Sequence, residues 1–160
     1  MEYYLIATVG VVLLGFLAHM GNPEKYADLM GISVMFSLVF VTANLIVTLY
    51  GFPESILAFP VLDLSLAAMI YRASLRNRAW WKIALVGTLV MQLVLHMAAV
   101  FAWKTGGLTQ GSLYQYVVGV NVVYILQLGV LTLIGGGYVV GRIGRVLSGR
   151  WRSHPVPYGF

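Results

Sequence analysis

Long runs with almost no charged side chain constrain this chain more than any other feature. Five apolar stretches stand out: Tyr3–Met20, Met30–Tyr50, Ile56–Ala73, Ile83–Trp103 and Tyr116–Val140. An α-helix needs about 20 apolar residues to cross the hydrocarbon of a bilayer. Each stretch is close to that length. The connections are short and several are punctuated by Gly or Pro, as in Gly21-Asn22-Pro23 and Gly51-Phe52-Pro53. The pattern predicts an all-α integral membrane protein, a single bundle of five transmembrane helices over residues 1–147 with a basic, aromatic tail over 148–160.

Composition excludes the other broad classes. With 60% apolar and 9% charged residues, the chain has too few polar side chains to cover a soluble globule of its size. Disordered chains are poor in apolar residues, so disorder fails too. The chain has no cysteine, which excludes disulfides, thiolate metal sites and thiol redox chemistry. The first segment has Glu2 and no Lys or Arg ahead of it, so it reads as a retained helix and not a signal peptide. Pro53 and Pro60 bracket Glu54–Phe59. Proline suits a first helical turn, so the third helix starts either near Ile56 or at Pro60. In the second case Glu54–Phe59 is an interfacial or re-entrant piece.

Basic residues set the expected orientation. Arg72, Arg76, Arg78 and Lys82 occupy one connection, and Arg142, Arg145, Arg150 and Arg152 follow the last span. Five spans put both groups and Lys25 on one side, with Lys104 alone opposite. The positive-inside rule then makes the C-terminus cytoplasmic and the N-terminus external, in a bacterial-type inner membrane. Trp80, Trp81, Trp103, Tyr50, Tyr114 and Tyr116 fall where an aromatic belt belongs.

With that topology, polar residues inside the spans acquire depths. Asn44, Asp63, His96 and Asn121 each lie five to seven residues from the outer end of a different helix. That is ~8–11 Å at 1.5 Å per residue. Gln92 and Gln127 form a deeper layer. Thr88, Gln92 and His96 share a helical face, as do Asn121 and Tyr124, and as do Ser33, Ser37, Asn44 and Thr48. Polar groups in hydrocarbon are costly and turn inward, so these stripes are expected to meet inside the bundle. Such a network is either an ion, proton or small-ligand site centred on Asp63 and His96, or interhelical glue worth ~0.6 kcal/mol per bond. Asp63 also suits the N-terminal turn of its helix.

Other chemistries find less support. His96 is the one deep histidine, and Met91 or Met97 offers haem no obvious second ligand from another helix. One His and one Asp fall short of a zinc site. No catalytic signature or phosphate loop is present, so neither cofactor nor metal is expected and the reading is non-enzymatic. Gly137, Gly141 and Gly144 form a small-residue face for helix packing, first within the chain and otherwise between chains. Arg142, Arg145, Arg150, Trp151, Arg152, Tyr158 and Phe160 suit an anchor on anionic lipid, or else a docking peptide. Nucleic acid is not an expected partner.

Three roles fit these residues. One is a small non-enzymatic membrane protein that packs with itself as a homo-oligomer or with subunits of a larger membrane complex. The second is a channel or carrier for protons, ions or small solutes that uses the Asp/His/Asn layer. The third is a pore-forming, holin-like lysis protein, suggested by size and short loops.

Overall fold

The computed structural model describes residues 2–52 and 54–147, apart from the side chains of Glu2 and Leu147. The tail positions Arg150, Trp151, Arg152, Tyr158 and Phe160 lie outside the described residues. Five helices follow one another: α1 (Glu2–Gly21), α2 (Pro23–Tyr50), α3 (Phe59–Arg76), α4 (Trp80–Lys104) and α5 (Gln110–Leu147). Each contains a segment long and apolar enough to cross a membrane. The described residues contain no strand.

Capping chemistry, more than hydrophobicity, decides where the helices begin. Asn22 accepts the backbone N–H of Lys25 at 3.1 Å, and Pro23 sits in the first turn. Together they start α2 seven residues ahead of the apolar run at Met30, so Lys25 and Asp28 are helical. α2 ends at Gly51, whose φ of 74° suits a residue without Cβ. The third apolar stretch is not one continuous helix. Glu54–Leu57 forms a 3₁₀ turn, and α3 starts at Phe59 with Pro60 in its first turn. The proline ring would clash with the carbonyl four residues back, so a helix from Ile56 could not run through it. α5 extends past the predicted span at both ends; its 38 residues reach ~57 Å at 1.5 Å per residue.

Consecutive helices pack side by side, and α5 closes the ring against α1. Close backbone approach fastens two of these seams. A Cβ on Gly135 would lie 2.9 Å from that of Leu14, and one on Gly15 would lie 3.4 Å from the Cα of Met30. Gly137, Gly141 and Gly144 play no such part: a Cβ on any of them meets nothing among the described residues. Spacings of four and three put them on one face, but that face turns outward, and the close backbone approaches are made at Gly135 and Gly15 instead.

The interior divides into two halves. Toward the α3–α4 turn it is solid, filled by Leu29, Ile32, Ile70, Leu85 and Leu131, all at most 6% exposed. That end also carries an ion-pair cluster. Lys82, 1% exposed, donates to Asp28 Oδ2 at 2.5 Å and to the α3 C-terminal carbonyls of Ala73 (3.1 Å) and Asn77 (3.0 Å). Arg76 reaches the same carboxylate at 3.7 Å. Lys82 is therefore a buried tie between α2, α3 and α4, not a solvated loop charge. Lys25, the arginines of the α3–α4 turn, Arg142 and Arg145 gather at this basic end, and Lys104 stands at the distal one. The distal half holds a cavity.

Outward faces are apolar throughout, with Ile6, Phe101 and Leu133 each 68–70% exposed. Water would penalise that surface, whereas lipid chains accept it.

Candidate functional site

Asp63 stands one turn into α3, placed there by the Pro60 start. His96 and Gln92 sit one turn apart on the inner face of α4, and Gln127 and Tyr116 project from α5. These five side chains form one chain of contacts, buried except for half-buried Gln92. His96 Nε2 lies 3.0 Å from Asp63 Oδ2, an ion-pair distance whose alignment falls short of a hydrogen bond. Gln92 Nε2 donates to Asp63 Oδ1 at 3.2 Å and lies 3.5 Å from His96 Nε2. Gln127 Nε2 donates to Gln92 Oε1 at 3.0 Å. On the other side of the ring, His96 Nδ1 is 2.7 Å from the Tyr116 hydroxyl. Asp63, His96 and Gln127 are at most 3% exposed.

The polarity of the chain follows from its carboxylate. Ionised Asp63 only accepts, so Gln92 must turn its amide nitrogen toward it and its oxygen toward Gln127. Gln127 then spends its nitrogen on Gln92 and leaves Oε1 without a partner among the described residues.

These groups line a cavity of about 310 Å³. Phe36, Leu66 and Leu89 form its floor above the solid half, and Phe59 leans on the His96 ring at 5.3 Å between centroids. Ile56, fully buried against Ala99 and Tyr116, fixes the 3₁₀ turn by packing. No α1 residue lines the cavity. α2 and α5 supply two sides of its wall and touch each other only sparsely, and half-buried Asn44 and Asn121 lie along the gap between them.

Of the seven predicted polar residues, Asp63, His96, Gln92 and Gln127 are joined directly. Asn44 and Asn121 line the same cavity without bonding to that chain. Asn44 Nδ2 donates to Phe40 O of its own helix at 2.7 Å, and Asn121 has no hydrogen-bond partner among the described residues. Tyr124 belongs to a different contact. Its hydroxyl meets Thr8 Oγ1 at 2.6 Å, and its ring stacks on Phe36 and Phe40 at 5.3 and 5.1 Å. It closes the wall where α1 is present. Ser37 and Thr48 bond backbone carbonyls four residues back, whereas buried Ser33 Oγ has no partner among the described residues.

Three participants escaped sequence reasoning. Tyr116 fits the aromatic belt, which masks its bond to His96. Thr8 stands alone in an apolar run. Asp28 precedes the apolar run of α2, and only its contact with Lys82 reveals its role. Among the described residues no three His, Asp or Glu side chains come together as a metal site would need.

The chain matches no family model, and no curated protein or solved structure matches it either.

Proposed function

We propose that this is an integral membrane protein that binds a small solute in the distal cavity and carries it, with Asp63 and His96 handling a coupled proton. The observation that carries this reading is a buried carboxylate–imidazole pair facing a cavity inside an otherwise apolar bundle. Interhelical glue needs no cavity and no second ionisable group; two such groups in hydrocarbon are costly and mark a function by default. The solid half between the cavity and the basic end favours a carrier over a standing pore, because Ile32, Ile70, Leu85 and Leu131 fill the axis there. On this reading the basic end faces the cytoplasm, as the excess of Lys and Arg favours, and the cavity opens in the external half.

Proteoliposomes loaded with a pH-sensitive dye test this reading. External addition of small amines, amides and carboxylates should change luminal pH for at least one class. Asp63→Asn should abolish that change. A wild-type chain that moves no proton with any class overturns the carrier reading.

A second reading rests on the outward glycines. Gly137, Gly141 and Gly144 leave a notch on α5 that nothing among the described residues fills, and small residues let helices of two copies approach closely. Self-association through this face is compatible with a carrier. Site-directed crosslinking along α5 tests it, and crosslinks independent of position would dismiss it.

A further inference from the structure

We infer that the solute is an organic ammonium ion with an apolar body, taken up in exchange for one proton of the Asp63–His96 pair. This rests on the carrier reading and adds the class of ligand. Three observations about the cavity converge on it.

The first is a surplus of acceptors. With Asp63 ionised, the amide chain is forced to end in the bare Oε1 of Gln127, a side chain with no exposure. Asn44, which also lines the cavity, spends its nitrogen on its own helix, and its carbonyl oxygen has no donor among the described residues. A buried acceptor without a donor is costly. A ligand that brings N–H donors removes that cost; a carboxylate or ether would add to it.

The second is charge. The pair is neutral overall when it holds its extra proton, as imidazolium and carboxylate. When that proton leaves to solvent, the carboxylate keeps a negative charge with no other ionic partner at this level. The remaining titratable groups facing it are Tyr116 and Tyr124 of α5. α1 adds Tyr4 behind Tyr124, α2 adds none, and Glu54 of the 3₁₀ turn is exposed. An ammonium ion entering as the proton leaves restores neutrality. The exchange is one cation for one proton, with no covalent bond made to the ligand.

The third is the wall. Phe36, Phe40, Phe52, Phe59, Tyr116 and Tyr124 surround the polar groups. Aromatic faces attract cations and also accept an apolar body. The gap between α2 and α5 faces sideways, toward the lipid in which amphiphilic amines concentrate.

Calorimetry on the full chain in detergent separates the outcomes, with 2-phenylethylammonium, its N,N,N-trimethyl analogue and 2-phenylethanol as probes. The primary ammonium should bind with release of about one proton, read from buffers of different ionisation enthalpy. Its affinity should rise about tenfold per pH unit while the pair is protonated. The trimethyl analogue, lacking N–H donors, should bind roughly tenfold more weakly to the unaltered protein. Gln127→Leu should weaken the ammonium by a similar factor, and Asp63→Asn should abolish its binding while helix content is retained. Asp63-dependent binding of 2-phenylethanol as tight as the ammonium overturns the ligand class and leaves the carrier reading standing. Ammonium binding that persists in Asp63→Asn, or proton uptake on binding, also overturns the class. If no probe binds, and no solute class moves protons in proteoliposomes, both readings fall.

Discussion

Replacing Asp28 with Asn leaves the Lys82 ammonium buried with only amide and carbonyl oxygens around it. Removing one partner of a buried ion pair costs ~3–5 kcal/mol, because the other charge stays desolvated. Asp28 is 26% exposed and Arg76 lies 3.7 Å away, so water and a second cation already screen the carboxylate. That lowers the expected loss to about 2–3 kcal/mol. Lys82→Met removes the ammonium itself. Asp28 then keeps Arg76 and solvent, and the carbonyls of Ala73 and Asn77 lose their shared donor. The expected loss is ~1–2 kcal/mol. The double variant should lose no more than Lys82→Met alone, which gives a coupling of about 2–3 kcal/mol between the two positions. Unfolding in mixed micelles on titration with dodecyl sulfate, followed by helical circular dichroism, measures all three. Trp81, whose ring centroid is 5.6 Å from Lys82 Nζ, adds a local fluorescence signal. Losses that add within ~0.5 kcal/mol would refute a coupled buried pair.

Other consequences can be read with the same unfolding assay. Gly135→Leu should cost about 1–3 kcal/mol by forcing α5 off Leu14. Gly141→Leu, on the open face, should change the stability of a single copy by less than about 0.5 kcal/mol; equal costs would mean the α1–α5 seam is placed incorrectly. Tyr116→Phe should cost ~1–2 kcal/mol, since His96 Nδ1 loses its 2.7 Å partner in a buried setting. Tyr124→Phe should cost less, about 0.5–1 kcal/mol, because Thr8 Oγ1 still donates to the Tyr4 carbonyl at 2.6 Å. A larger loss for Tyr124→Phe than for Tyr116→Phe would reverse the assigned roles.

Helix number was legible because hydrocarbon thickness demands long apolar runs, and helical rise turns residue counts into depths. The same rule put Asp63 and His96 at one level, and the cost of burying them turned both inward. Helix ends were less legible. Asn22 and Pro23 start α2 through hydrogen bonding and a fixed φ, and an apolar tally ignores both. Pro60 was legible as a start signal, though the 3₁₀ turn ahead of it depends on Ile56 packing against Ala99 and Tyr116. The glycine stripe shows a limit of periodicity: spacing tells which residues share a face, not which way that face turns. Gly135 turns toward Leu14, and Gly137, two residues on, does not. Lys82 was hidden for a similar reason. A lysine in a basic connection reads as solvated until Asp28 and the end of α3 are seen to surround it.

The natural chain has no cysteine, so a single introduced thiol reports its own surroundings. Asn121→Cys would sit beside the gap between α2 and α5, and Leu131→Cys in the solid half at a position 1% exposed. Both full-length variants, in membrane vesicles, can be treated with 2-aminoethyl methanethiosulfonate and their modification rates compared. A cavity open to small ammonium compounds predicts that Asn121→Cys reacts at least roughly tenfold faster, since thiol reactivity follows access. Equal rates, or an unreactive Asn121→Cys, would contradict an accessible binding cavity at Asp63 and His96.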